Sequence, residues 1–492
     1  MRTNNGDFTF TSSNSSLLDF FSKAGSLMEK RGTYYGNESS ALELFKEAWR
    51  ENDLTSMKLA FWLRDCRGGA GNRSGFRSIV KWLSENYTNW VLANIHLIPE
   101  VGRWDDLLAC VDTPAEGVAL RFWANAILNG EGLAAKWAPR HKNKKLRPVF
   151  NKMRKMLGLD PKAYRKLLVE NTEVVETLMC GKRWNEVEYN KVPSVAMARY
   201  NKKFAERDPS RFSKWKSDLS KPDSDAKVNA SVLFPHDIIR SLMADKGLHL
   251  FDDYYGRSNK SMIVSELADA QFAALPDYMD ANEYRIMPIC DFSASMDTPV
   301  SGSVTALMVS LGLGLYCSDR VGKDNPFYKM FIPFSTDSKL VNWKDYSFSQ
   351  AVSGGEKVFG IPYLGSTNIS LALDRILDSA QMFGASNDQI PNMLLIISDM
   401  QFDQGAVSDH TSVEASMKKW AAAGYDVPTI VYWNTAGYTG SPAKVHSKNV
   451  CLVSGFSPSI LEAILSGNNV DPMGVLEAAI AKYEVTAPAV LA

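Results

Sequence analysis

The sequence predicts a multidomain α and α/β protein: an α-helical repeat array over residues 1–283, then a doubly wound α/β domain over 284–492. Three observations carry this. Up to about Met279 apolar residues return at three- and four-residue intervals, as in Leu42, Phe45 and Trp49 or Leu54, Met57, Ala60 and Phe61, which is helical spacing. Beyond Tyr284 short apolar runs alternate with helical ones, the pattern of a mostly parallel sheet. The charge also divides: residues 1–285 hold 43 Lys+Arg against 36 Asp+Glu, and residues 286–492 hold 12 against 19.

In the first part, helical segments are separated by Gly, Pro or Asn breaks. This suits stacked helical hairpins, a HEAT-like, solenoid or ring-like array, though no fixed period is evident. Asp53 or Thr55 and Ser39-Ser40 are expected N-caps. Arg64-Asp65-Cys66-Arg67-Gly68-Gly69-Ala70-Gly71-Asn72-Arg73 reads as a helix-to-helix turn held by Arg–Asp contacts; no strand precedes it and no Gly-Lys-Ser/Thr follows, which excludes a P-loop. Gly102-Arg103-Trp104-Asp105-Asp106-Leu107-Leu108 reads as a helix start with acids at its positive end. Residues 121–216 hold 23 basic and 9 acidic side chains, and Lys136 to Lys155 contains nine basic residues and no acidic one, with Trp137 and Phe150 interleaved. Cations for phosphates beside rings for bases suit single-stranded nucleic acid. A solvated basic loop is the plain alternative. His236 is expected to be structural, for no nucleophile motif accompanies it.

In the second part, strands are expected at Tyr284–Cys290, Phe327–Phe334, Met393–Ser398, Val427–Trp433 and Val450–Val453. Helices are expected at about Gly302–Cys317, with Val304 its first apolar residue, and at Ile369–Met382, Glu414–Ala423 and Ser459–Leu465. Asp291-Phe292-Ser293-Ala294-Ser295 follows the first strand. Residues two apart in a turning segment project to one side, so Asp291, Ser293 and Ser295 can converge as oxygen ligands for a hard divalent cation. Gly365-Ser366-Thr367-Asn368 and Ser398-Asp399-Met400 stand before a helix and after a strand, where they can complete the shell. Asp403 and Asp409 are expected to be solvated.

DxSxS, a later GxTN and a strand-terminal Asp resemble the metal-ion-dependent adhesion site of a von Willebrand factor A domain. That resemblance implies Mg²⁺, or another divalent cation, held by the hydroxyls of Ser293, Ser295 and Thr367, with Asp291 and Asp399 acting mostly through water. It also implies an open position for an acidic group of a protein partner. Gly is common in that family where Ala294 stands. The order R-D-x-R-G-G, W-D-D-L-L, K-W-x-P-R, V-P-S-V-A, P-H-D-I-I and then S-D-M-Q-F-D and V-S-G-F-S is similar to an uncharacterised family of plants, fungi, bacteria and large viruses, and through it to the Ro ribonucleoprotein. There a TROVE module of helical repeats closes into a ring beside a von Willebrand factor A domain and binds small noncoding RNA. The resemblance implies RNA contacts from Lys136, Arg140, Lys142, Lys144, Lys145 and Arg147, with Arg67 and Arg73.

The expected function is a Ro-like RNA-binding scaffold of a ribonucleoprotein, with a protein-only adaptor or virion-associated structural protein as the rival. Catalysis is not expected: Ser293 lacks a nucleophile elbow and a paired base, and no carboxylate dyad is spare. No run of about 18 apolar residues predicts a membrane span, and the polar Met1–Ser16 stretch lacks the apolar core of a signal peptide. Six scattered cysteines without a CxxC pair are expected to be reduced thiols in a cytoplasmic setting.

Overall fold

The computed structural model describes residues 2–27, 41–172, 174–221, 223–246, 250, 262–279, 284–334, 338–360, 368–403, 411–437, 440–466 and 471–489. Mixed α/β architecture is clear: the first 280 residues are helical and the rest is built on one sheet. Its strands are β1 (Ile286–Asp291), β4 (Met330–Phe334), β5 (Val341–Asn342), β6 (Met393–Ser398), β7 (Thr429–Asn434) and β8 (Val450–Ser454), in the spatial order β5-β4-β1-β6-β7-β8. All neighbours pair in parallel except β4 and β5, which are antiparallel at one edge. Every residue of β1 and β6 is buried, as expected for strands covered on both faces.

The connection after β1 leads to β4 on one side, whereas the connection after β6 leads to β7 on the other. The crevice between the carboxyl ends of β1 and β6 is therefore the topological switch point, where open α/β sheets place their ligands.

Two short strands, β2 (Pro299–Ser301) and β3 (Val304–Thr305), pair as a hairpin after β1. They displace the start of the helix expected from Gly302, which begins at Ala306 and runs to Arg320. Gly302 turns the hairpin with φ +59°, a conformation open to glycine. Between β4 and the helix Ile369–Met382 lie β5 and the helix Phe348–Gly354, whose Ser347 and Gln350 form a capping box.

In the helical part, Ala41–Glu51, Asp53–Arg64, Arg73–Asn86, Glu116–Leu128, Arg147–Met156 and Pro161–Glu170 are the main early helices. Asn52 caps the second of these, accepting from Thr55 N at 2.8 Å; Asp53 and Thr55 lie inside the helix. The Ser39-Ser40 cap falls outside the described residues. Trp184–Glu186 and Tyr189–Lys191 are short 3₁₀ turns.

The main hydrophobic core runs continuously across residue 284, taking in Phe21, Trp62, Ile239, Ile289 and Val431. Helix Ser16–Lys23 lies on β8: Ser454 Oγ donates to the carbonyl of Phe21 at 2.6 Å and accepts from Gly25 N at 3.0 Å. Past the last helix, Asn94 and Thr486 exchange two hydrogen bonds of 2.8 Å. A second, smaller core gathers Val187, Tyr189, Met197, Phe204, Phe212 and Trp215. Among the described residues no helix is long and apolar enough to cross a membrane. All six cysteines are free thiols.

Candidate metal centre and nucleic-acid interface

At the switch point, Asp291 ends β1 and Asp399 follows β6; both are fully buried. Asp291 Oδ1 accepts from Ser293 N at 2.9 Å, and its Oδ2 takes the hydroxyl of Ser398 at 2.5 Å. The Ser293 and Ser295 hydroxyls lie 3.1 Å apart. Ala294 opens the 3₁₀ turn Ala294–Asp297 and is not among the residues with positive φ, so alanine suits this turn without strain. The loop after β6 is tight: Met400 has φ +64°, Gln401 N donates to Asp399 Oδ1 at 2.9 Å, and Met400 N donates to Ser398 Oγ at 3.0 Å. The N-terminal segment braces this loop, with Asn4 N on Gln401 Oε1 at 2.8 Å and Thr3 Oγ1 on the Phe402 carbonyl at 2.7 Å.

Burial, with the charge of Asp399 next in effect, pushes the Asp291 carboxyl up to about 7, against the pull of Ser293 and Ser398. Two carboxylates out of water and close enough to repel are a donor set that favours a cation. Asp291, Ser293, Ser295 and Asp399 are all placed at the β1–β6 crevice, whereas Thr367 lies outside the described residues. Asn368 caps the helix Ile369–Met382, accepting from Leu371 N at 3.1 Å. Ser398, which orders Asp291, lies in the stretch expected to complete the shell but was not assigned a role of its own. Among the described residues no three His, Cys, Asp or Glu side chains cluster to hold a metal; the candidate centre rests on hydroxyls. Asp403 is half-buried and its backbone bridges to Gly6; Asp409 lies outside the described residues.

The basic surface is built from two segments distant in sequence. Lys142, Lys144, Lys145 and Arg147 are exposed on the loop and first helical turn leading into Arg147–Met156. Arg140 is exposed by area but partly desolvated, which lowers its pKa; Lys136 is half-buried. Phe150, expected as a stacking ring, is instead buried, edge-on to Tyr164 at 5.3 Å. It lies on the inner face of an amphipathic helix, with Val149 and Met153. Trp137 is half-buried, with Lys136 Nζ 5.7 Å from its ring centre and the Arg103 guanidinium over it at 3.8 Å.

Arg103 links that segment to the glycine-rich turn. Its guanidinium forks onto Asp105 at 2.9 and 2.8 Å, and Asp105 also takes Arg77 at 2.9 Å. Asp106, fully buried, accepts from Arg64 Nε at 2.7 Å, Arg77 Nε at 2.6 Å and Arg103 N at 2.9 Å. Gly102 is needed here, since a Cβ would stand 2.6 Å from Asp106 Oδ2 and 2.9 Å from Arg64 Nε. The two aspartates therefore do more than start a helix: Trp104–Cys110 is a 3₁₀ segment, and they gather arginines from two other helices. Arg67 and Arg73 are exposed at either end of the turn. The turn is held by Asp65, through Arg67 N at 2.8 Å, Tyr483 Oη at 2.9 Å and Lys482 Nζ at 3.2 Å, and its first residue, Arg64, pairs with Asp106, so Arg–Asp contacts do hold it, together with partners near the chain's end. Arg77 and Arg103 were not legible as site residues; the i, i+4 spacing of Arg77 from Arg73 was the available signal.

The fold is of the Ro kind. The chain superposes on the Ro (RSR) protein of Deinococcus radiodurans with a TM-score of 0.51, over 96% of its own length and 100% of that chain, at 13% sequence identity. The family model for the domain of unknown function DUF2828 matches residues 3–120 and 141–282. That is more than half of the sequence, so the chain belongs to this family. A second model, for the domain of unknown function DUF7788, matches residues 285–486. The uncharacterized protein L728 of Acanthamoeba polyphaga mimivirus is 25% identical, over 96% of this chain and 86% of its own length.

Proposed function

We propose that this protein binds small noncoding or single-stranded RNA and scaffolds a ribonucleoprotein particle, with its metal face docking an acidic group of a partner protein. One observation carries the RNA reading: Arg103, which shares Asp105 with Arg77, stacks on Trp137 beside Lys136, so that Arg77, Arg103 and Lys136 adjoin the segment that carries the exposed cations Lys142, Lys144, Lys145 and Arg147. Such cations position a phosphate backbone. The shared fold with a Ro protein supports the reading.

On the metal face, the residues fit a hard cation of the von Willebrand factor A kind. Asp291, Ser293, Ser295 and Asp399, with Thr367, would hold Mg²⁺. Bound there, Mg²⁺ supplies an electrophilic anchor for a carboxylate. Ser398 and Ser293 N fix the Asp291 carboxylate, and the braced loop after β6 fixes Asp399. The assembly binds and orients; no bond is made or broken.

The experiment is filter binding of RNA at rising salt, preceded by sequencing of RNA that co-purifies. Affinity that falls steeply with salt supports the reading. Salt-indifferent binding, or protein that purifies free of RNA and binds none, would leave the protein-only adaptor as the better account.

A further inference from the structure

The end of the sheet opposite the metal crevice carries an apolar pocket of about 480 Å³. Its floor is the sheet itself, with Met287 near the start of β1 and Ile332 in β4, both buried. Its rim is Leu340, beside the edge strand β5, and Phe383, just past the helix Ile369–Met382. Phe383 and its neighbour Met382 are the most exposed large apolar side chains among the described residues, at 80% and 76%. An apolar patch that runs from a pocket out onto the surface is unfavourable in water and marks a docking face.

The charge around the pocket selects what covers it. Lys339 and Arg375 line it and no acidic side chain does, although residues 286–492 hold 19 acids against 12 bases. Arg375 is exposed and makes no ion pair among the described residues. Asp374, the acid beside it in sequence, is taken by Lys419 of the helix Ser412–Ala422 at 2.6 Å. We propose that this pocket docks an amphipathic segment of a partner protein, with bulky apolar side chains seated between Leu340 and Phe383 and a carboxylate on Arg375. Apolar anchors one helical turn apart carry the affinity of such a contact, and the carboxylate sets orientation and partner choice. Asp291 ends β1 and Asp399 follows β6, so the metal centre stands at the far end of both strands. Docking here is therefore independent of the metal, and of the RNA reading.

The test is selection on the full chain from a displayed library of random 12-residue peptides, with Phe383→Ser protein as the counter-selection. Selected peptides are expected to share bulky apolar residues three or four positions apart and an excess of Asp and Glu. A synthetic copy of one should bind Phe383→Ser about tenfold more weakly than the parent, and equally well in Mg²⁺ or EDTA. With its acids changed to Lys, the same peptide should prefer Arg375→Glu over the parent, an exchange of preference that misfolding does not produce. Selected peptides that are basic, or that share no pattern, overturn the proposal. Binding that EDTA abolishes also overturns it, since the segment then sits at the metal crevice. So does a parent protein that sediments as a dimer while Phe383→Ser sediments as a monomer, for a second copy of the chain is then the occupant.

Discussion

Ser398 donates its hydroxyl to Asp291 Oδ2 at 2.5 Å, joining the carboxyl ends of β6 and β1 across the switch-point crevice. The same carboxylate is buried, repelled by Asp399 and raised to about 7. The folded state then keeps a proton that the unfolded chain has lost above its ordinary value of 3.8. Folded protein binds more protons in that window, so stability falls as pH rises from about 4 through about 7. Without divalent cations, melting temperature is expected to drop between about pH 4 and about pH 7, and Asp291→Asn to flatten the drop. Millimolar Mg²⁺ should restore the loss in the parent protein but not in the variant. A melt insensitive to pH and Mg²⁺ would refute the centre.

The buried pair Arg64–Asp106 makes a second prediction, about stability. Asp106 is 0% exposed at its side chain and Arg64 5%, so Asp106→Asn leaves a guanidinium uncompensated in the core. The expected cost is about 3–5 kcal/mol, read as a lower urea midpoint with unchanged slope. Replacing both partners by apolar residues should cost less than this single change.

How much of this was legible in the sequence depends on range. β6 and the helix Ile369–Met382 match their expected limits, because a long apolar run and a capped amphipathic stretch are local signals. Asp291 and Asp399 were identified as strand-terminal acids, yet the Ser398–Asp291 bond could not be, since it depends on β6 lying beside β1 and not beside β4. Phe150 was misjudged because its basic neighbours hid the helical inner face it shares with Met153. Arg103 escaped notice because Trp137, on which it stacks, and Arg77, with which it shares Asp105, come from separate segments.

On the basic track, Lys142, Lys144 and Lys145 are each exposed. Changing all three to Gln should lower the slope of log affinity against log salt by about 2, at roughly 0.7 per lost phosphate contact with single-stranded RNA. Changing the exposed Lys448, outside both basic segments, should leave the slope alone. An unchanged slope in the triple variant would remove this loop from the interface.

Gly314 sits in the buried helix Ala306–Arg320, directly against β1. A Cβ there would stand 2.2 Å from Cys290 Sγ, far inside contact distance, and both backbones are fixed by the core. Gly314→Ala is therefore expected to cost about 1–3 kcal/mol by overpacking. Cys290→Ala removes the obstructing sulfur, so the double variant should be more stable than Gly314→Ala alone, a coupling that additive effects exclude. Cys290 immediately precedes Asp291, so pushing the strand away also moves the carboxylate relative to Ser293 and Ser398. Stabilisation by Mg²⁺ should weaken in Gly314→Ala and return in the double variant. Recovery of stability without recovery of the Mg²⁺ effect would show that the helix supports the fold but does not set the position of the metal ligands.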